Sequence, residues 1–225
     1  MRFSLAVTVP ALLALAPLAA APQTSQQPSA MRHTGERAQG TPAAQKLTRA
    51  QFAAAMRQLW EDHITWTRLY IVSAVAGLPD AQPTAQRLLQ NQTDIGNAIK
   101  PFYGDAAAER LTALLRSHIL IAADLVTAAK AGNATAAQDA SARWYANAND
   151  IADFLSGANP RNWSSEALRA EMRHHLELTL QEAQARLKGD WAADIAAYDA
   201  IHHHILGMSD ILSSGIVSQF PQKFQ

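Results

Sequence analysis

"LTRAQFAAAMRQLWEDHITWTRLYIVSAVAG", residues 47–77, decides the fold class. Thr48 followed three residues later by Gln51 is a capping box, and Leu47 is placed to staple onto Phe52. From there Phe52, Met56, Leu59, His63, Trp66, Tyr70 and Ser73 recur at alternating intervals of four and three. That spacing lays them along one face of an α-helix, not along a strand, whose faces alternate with a period of two. The segment reads as a helix from about Thr48 to Gly77, with an imidazole at the middle of its inward stripe.

The same pattern carries through the rest of the chain. A second helix is expected over about Pro83–Lys100, with Leu88, Gln92, Ile95 and Ile99 inward and Pro101 as its stop. A third covers about Asp105–Ala131 (Leu111, Leu115, His118, Leu125), ended by Gly132. A fourth covers Ala134–Ser156 (Ala140, Trp144, Asn147, Ile151). A fifth covers Ser165–Lys188 (Leu168, Met172, His175, Thr179, Glu182). A sixth, capped by Asp190, runs to about Phe220, with Trp191, Ile195, Tyr198, His202, Ile205, Leu212 and Ile216 inward. No stretch alternates with period two, and no internal repeat of fixed period is visible. Short connections make neighbouring helices antiparallel. The fold class is therefore all-α, an antiparallel up-down bundle of about six helices, in a single domain over 47–225.

Composition narrows the function. The chain has 225 residues, no net formal charge and no cysteine. A nucleic-acid binder needs a basic face, so none is expected. Without cysteine there is no disulfide, no thiolate nucleophile and no lipoprotein anchor. Residues 1–21, "MRFSLAVTVPALLALAPLAAA", have the charged start, apolar stretch and small-residue end of a secretory signal peptide. Pro10 and Pro17 argue against a stable spanning helix, so no lasting membrane insertion is expected once the signal is removed. Residues 22–46 are rich in Pro, Gln, Ser and Thr and read as a flexible leader. The expected location is periplasmic or secreted.

The inward histidines carry the functional reading. His63, His118 and His175 fall at the middles of helices one, three and five, and "IHHHI" (201–205) falls near the middle of helix six. A helix rises about 1.5 Å per residue, so register errors of a few residues move a side chain only about 5 Å. These imidazoles are thus expected to share a layer. Asn147 sits at the middle of helix four, and Glu182 lies two turns beyond His175 on the same stripe. Burying polar groups without partners costs about 1–3 kcal/mol each, so they are expected to serve one another or a common ligand. Neutral imidazoles and a carboxylate suit a divalent transition-metal ion such as zinc, copper or iron. The expected ligands are His63, His118, His175 and Glu182, with His202 or Asp199 completing the set and Asn147 orienting an imidazole or a water. Met56, Met172 and Met208 stand near enough to act as soft ligands for copper. Convergence of the ring nitrogens to about 2–2.2 Å from one point would mark such a site. The alternative is a non-metal binding or interaction protein, in which the histidines form a hydrogen-bond network or line a small-ligand pocket.

"LWEDHITWTRLYIVS", "LLRSHILIAADLVTAAKAGN", "WYANANDIADFL" and "GDWAADIAAYDAIHHHILGMSDIL" resemble a family of small bacterial helical-bundle proteins of unknown function. The resemblance covers roughly Leu47 to Phe220. It implies that positions matching His63, His118, His175 and Glu182 recur, while the triple histidine is less regular. Some members carry kinase- or glycosyltransferase-type names. This sequence has neither a phosphate-binding loop nor a β/α alternation to support them.

Overall fold

The computed structural model describes residues 46–225. The expected signal segment and all of the leader but Lys46 lie outside the described residues. Six helices follow: α1 Arg49–Ala76, α2 Ala81–Tyr103, α3 Asp105–Lys130, α4 Ala134–Ala158, α5 Ser165–Lys188 and α6 Trp191–Gln219, with a short 3₁₀ turn at Pro221–Lys223. No strand occurs among the described residues.

Helix starts are set by side chains. Thr48 and Gln51 form the reciprocal capping box, and Asn133, Ser164 and Asp190 accept from backbone N–H groups at the starts of α4, α5 and α6. Such caps satisfy amides that the helix itself leaves unpaired. α2 and α3 are joined by Gly104 alone, at φ 82° and ψ 177°, a conformation open to glycine because it lacks a Cβ. Pro101 does not stop α2. It lies in the last turn, and the helix continues to Tyr103.

Spatial order follows chain order. Each helix packs on the next, and α6 returns to pack on α1, closing a ring. α1 also touches α3 and α5. Consecutive helices run antiparallel across their short connections. The bottom of the ring is closed by Phe52, Phe102 and Phe224, whose rings lie 5.1–5.5 Å apart. There the last residue meets the first helix, with Gln225 N–H donating to the Leu47 carbonyl. Among the described residues α3 alone is long and apolar enough to cross a membrane, and in the ring it lies between α2 and α4.

The sixth helix is rotated from the expected register. In its first half Trp191 and Ile195 are 56% and 55% exposed while Ile201 is fully buried; Ile205, Leu212 and Ile216 are buried as expected. The cause is Asp194, which turns inward to meet two arginines and carries the first half of the helix round with it. Trp191 instead covers the Arg186 guanidinium from outside, at 4.6 Å.

α6 also makes a very tight approach in the core. A Cβ added at Gly215 would lie 2.0 Å from Nε1 and 2.6 Å from Cε2 of the buried Trp163 indole. Gly215→Ala should therefore cost about 1–3 kcal/mol, the usual cost of overpacking. An unchanged urea midpoint would show that the indole is free to shift.

Candidate functional site

α1, α3 and α5 each place one histidine at mid-height. His63, His118 and His175 are 3–5% exposed. The His175 ring lies 5.8 Å from His63 and 6.1 Å from His118, between centroids. The expected layer thus exists for these three. Even-numbered helices support it. Asn147 of α4 donates through Nδ2 to the Leu114 carbonyl at 3.1 Å, which leaves its Oδ1 to accept from His118 Nδ1–H at 2.9 Å. This bond fixes the His118 tautomer and leaves Nε2 with a free lone pair. Gln92 of α2 is the mirror case. Its Nε2 donates to the Leu88 carbonyl at 2.8 Å and to Asn91 Oδ1 at 3.1 Å, and it also faces His63 Nδ1 at 3.3 Å, the longest of the three contacts. On α6, His204 stacks against His175 at 6.1 Å.

These pairings follow one rule. Gln92 follows His63 by 29 residues, and Asn147 follows His118 by 29. His204 follows His175 by the same interval. The chain is three helical hairpins, each giving one imidazole and one polar neighbour to a common layer. The repeat is one of position, not of sequence, which is why reading residue identities showed none.

Three expected ligands stand elsewhere. Glu182 is fully buried but turns to Arg68, whose Nη1 donates to Oε1 at 2.8 Å. The same guanidinium grips Asp194 at 2.6 and 3.0 Å, and Arg186 adds a contact at 3.1 Å. Two turns along the helix from His175 is about 10 Å, too far for the carboxylate to share an ion with the ring. His202 lies on the rim and bonds Glu61 through Nε2 at 2.6 Å. Asp199 is exposed. Both misplacements come from the rotation of α6, which turns His204 inward instead of His202.

Burial governs the charge states. Desolvation, with His118 nearby, lowers the His63 pKa to about 3. Desolvation lowers that of His118 to about 4, partly offset by the Asn147 bond. His175 is driven well below its usual value by burial and then by the neighbouring histidines. All three are neutral imidazoles at pH 7. Glu182 is pushed up to about 7 by burial, against the pull of Arg68. Burial also pushes Asp194 up, but its bonds and charge pairing with Arg68 and Arg186 outweigh this and hold it below the usual range.

His63, His118 and His175 line a cavity of about 40 Å³ together with Met56, Met172 and Met208. A water needs about 10–15 Å³ on this measure, so the space suits an ion with a water or two and excludes a haem. His175 Nδ1, the Trp60 indole N–H and Gln92 Oε1 are buried with no hydrogen-bond partner. As the rings lie, no three His, Asp or Glu side chains among the described residues are gathered closely enough to hold a metal ion.

Family models, curated proteins and solved structures gave no match to this chain. The site is read from its own chemistry.

Three residues of the site were not expected there: Gln92 as a partner of the layer, Arg68, and His204, whose place on the helix suggested a sideways or outward face. Gln92 sits at the midpoint of α2, so the height argument that selected the histidines also selects it. Arg68 carried no comparable signal, because its stem lies along the surface and only its head turns in.

Proposed function

We propose that the imidazole layer binds a transition-metal ion, with copper in its monovalent state preferred over zinc or iron, in an exported protein. The carrying observation is that three neutral imidazoles, one from each hairpin, share a small buried cavity with three thioethers. The lining contains no carboxylate. A divalent ion there would be buried without a countercharge, which is costly. A soft monovalent ion suits imidazole and thioether donors. Asn147 already holds His118 in the tautomer a ligand requires. Closure of the rings onto an ion needs rotation of the His63 and His175 side chains.

A second reading is favoured by the present ring spacing and by the Gln92 contact. In it the layer is a neutral network closed around a bound water and fixes the register of the three hairpins. Metal analysis separates the two. Tag-free protein loaded with Cu(I) against a chromogenic Cu(I) chelator should retain about one ion per chain and gain thermal stability, since an ion that binds only the folded state stabilises it by mass action. A His63→Ala/His175→Ala variant, shown to be helical by circular dichroism, should retain none. A parent that surrenders all its copper, and takes up neither zinc nor iron, sinks the metal reading and leaves the network.

A further inference from the structure

On the other side of the layer, between α1, α3, α4 and α5, lies a cavity of about 280 Å³. It does not overlap the three-histidine cavity. Leu88, Leu125 and Val126 give it apolar walls, and none of its lining residues carries a charge at neutral pH. Its rim reaches solvent at Ala129 and Gln184, both exposed. An apolar cavity of about 150 Å³ is enough to hold benzene, so this one has room for roughly two fused rings with a small substituent.

Tyr70, Ser141 and Gln184 add polar side chains to the lining, beside two threonines and Trp144. The hydroxyls of Thr67 and Thr179 are spent as donors, each bonding a carbonyl one turn back, those of His63 and His175. The Trp144 side chain lines the cavity and is 2% exposed, and its indole N–H has no partner. A buried donor left unpaired costs free energy that a ligand acceptor would recover.

The geometry points to a second binding site: this cavity takes one neutral, largely apolar molecule of two-ring size with a hydrogen-bond acceptor for the Trp144 N–H. A charged ligand has no partner there and would have to shed its hydration. Trp144 also packs on His118, with ring centroids 5.1 Å apart, so an occupant would rest on the residue that backs the imidazole layer.

The test uses the whole chain, without added metal, and 2-acetylnaphthalene as probe, titrated by calorimetry. One saturable site per chain is expected. Parent protein should bind 2-naphthoate, the same ring system with a charge, at least about tenfold more weakly, since one unpaired polar contact is worth about that factor. Ala122→Phe, which fills the cavity, should weaken 2-acetylnaphthalene by about tenfold or more through steric exclusion. Trp144→Phe keeps a ring and removes the donor. It should weaken 2-acetylnaphthalene by roughly three- to tenfold, the worth of one hydrogen bond, and leave unsubstituted naphthalene unchanged. Absence of saturable binding up to the solubility of the probe overturns the proposal. So does equal affinity for the naphthoate, full retention of binding in a folded Ala122→Phe variant, or a Trp144→Phe variant with the affinities of the parent.

Discussion

Metal-free protein should lose stability steeply as pH falls from 6.5 towards 4. The histidines of the layer have folded-state pKa values far below the ordinary 6.5, about 3 for His63 and about 4 for His118, with His175 also strongly depressed. Below pH 6.5 the unfolded chain takes up protons at these positions and the folded chain does not. The folded state is therefore fully favoured above pH 6.5, and that advantage drains away down to the folded values. At 1.36 kcal/mol per unit, His63 and His118 each lose about 3 kcal/mol between pH 6.5 and 4.5. Those losses are comparable with the whole stability of an ordinary domain, about 5–15 kcal/mol. Glu182 works in the opposite sense. Its pKa is raised to about 7, so between pH 4.5 and 7 its share of stability falls as pH rises. The histidines outnumber it, and the net slope stays positive. Urea midpoints measured from pH 7.5 to 4.5 in the presence of a chelator test this. His118→Asn should flatten the profile by about one proton, and a parent profile that is already flat would show that the rings are solvated.

The second large effect concerns the ion cluster on the α1–α5–α6 side. Arg68 serves two buried carboxylates at once and lays its guanidinium over the Tyr198 ring at 5.0 Å. Arg68→Met leaves Glu182 with no ion-pair partner and only the charge of Arg186 nearby, and leaves Asp194 with Arg186 alone. Removing one member of a buried ion pair typically costs about 3–5 kcal/mol, because the remaining charge has no compensation. The triple change Arg68→Met/Glu182→Gln/Asp194→Asn should regain a large part of that loss, since the penalty belongs to the stranded charges. Thermal melts of the two variants at pH 8 decide it. A triple variant no better than the single one would assign the effect to lost packing of the arginine stem.

The all-α class, the six helices and the three central histidines were legible because each rests on local periodicity and on helix midpoints, quantities that a sequence contains. Buried faces of α3, α4 and α5 follow the same logic, and Asn147 met His118 as its position suggested. What was illegible is long-range. The face of α6 could be read as Trp191–Ile195–Tyr198–His202 or as Ala197–Ile201–Ile205, and both are apolar. Asp194 chose between them through arginines on α1 and α5, which no window on α6 contains. Glu182 misled for the same reason. It stands on the same inward stripe as His175, two turns along, yet the charge that claims it comes from a residue 114 positions away.

The constant interval of 29 residues has a meaning in terms of assembly. Three like hairpins around one axis are the arrangement of a homotrimer, with a ligand site on the symmetry axis. A true trimer must present the same neighbour to each imidazole three times, because every protomer is identical. Joining the hairpins in one chain releases that constraint. Here the three neighbours are an amide that faces the ring with its N–H₂ group, an amide that faces it with its oxygen, and another imidazole: Gln92, Asn147 and His204. The chain repeats the hairpin three times and gives each of its three arms a different hand.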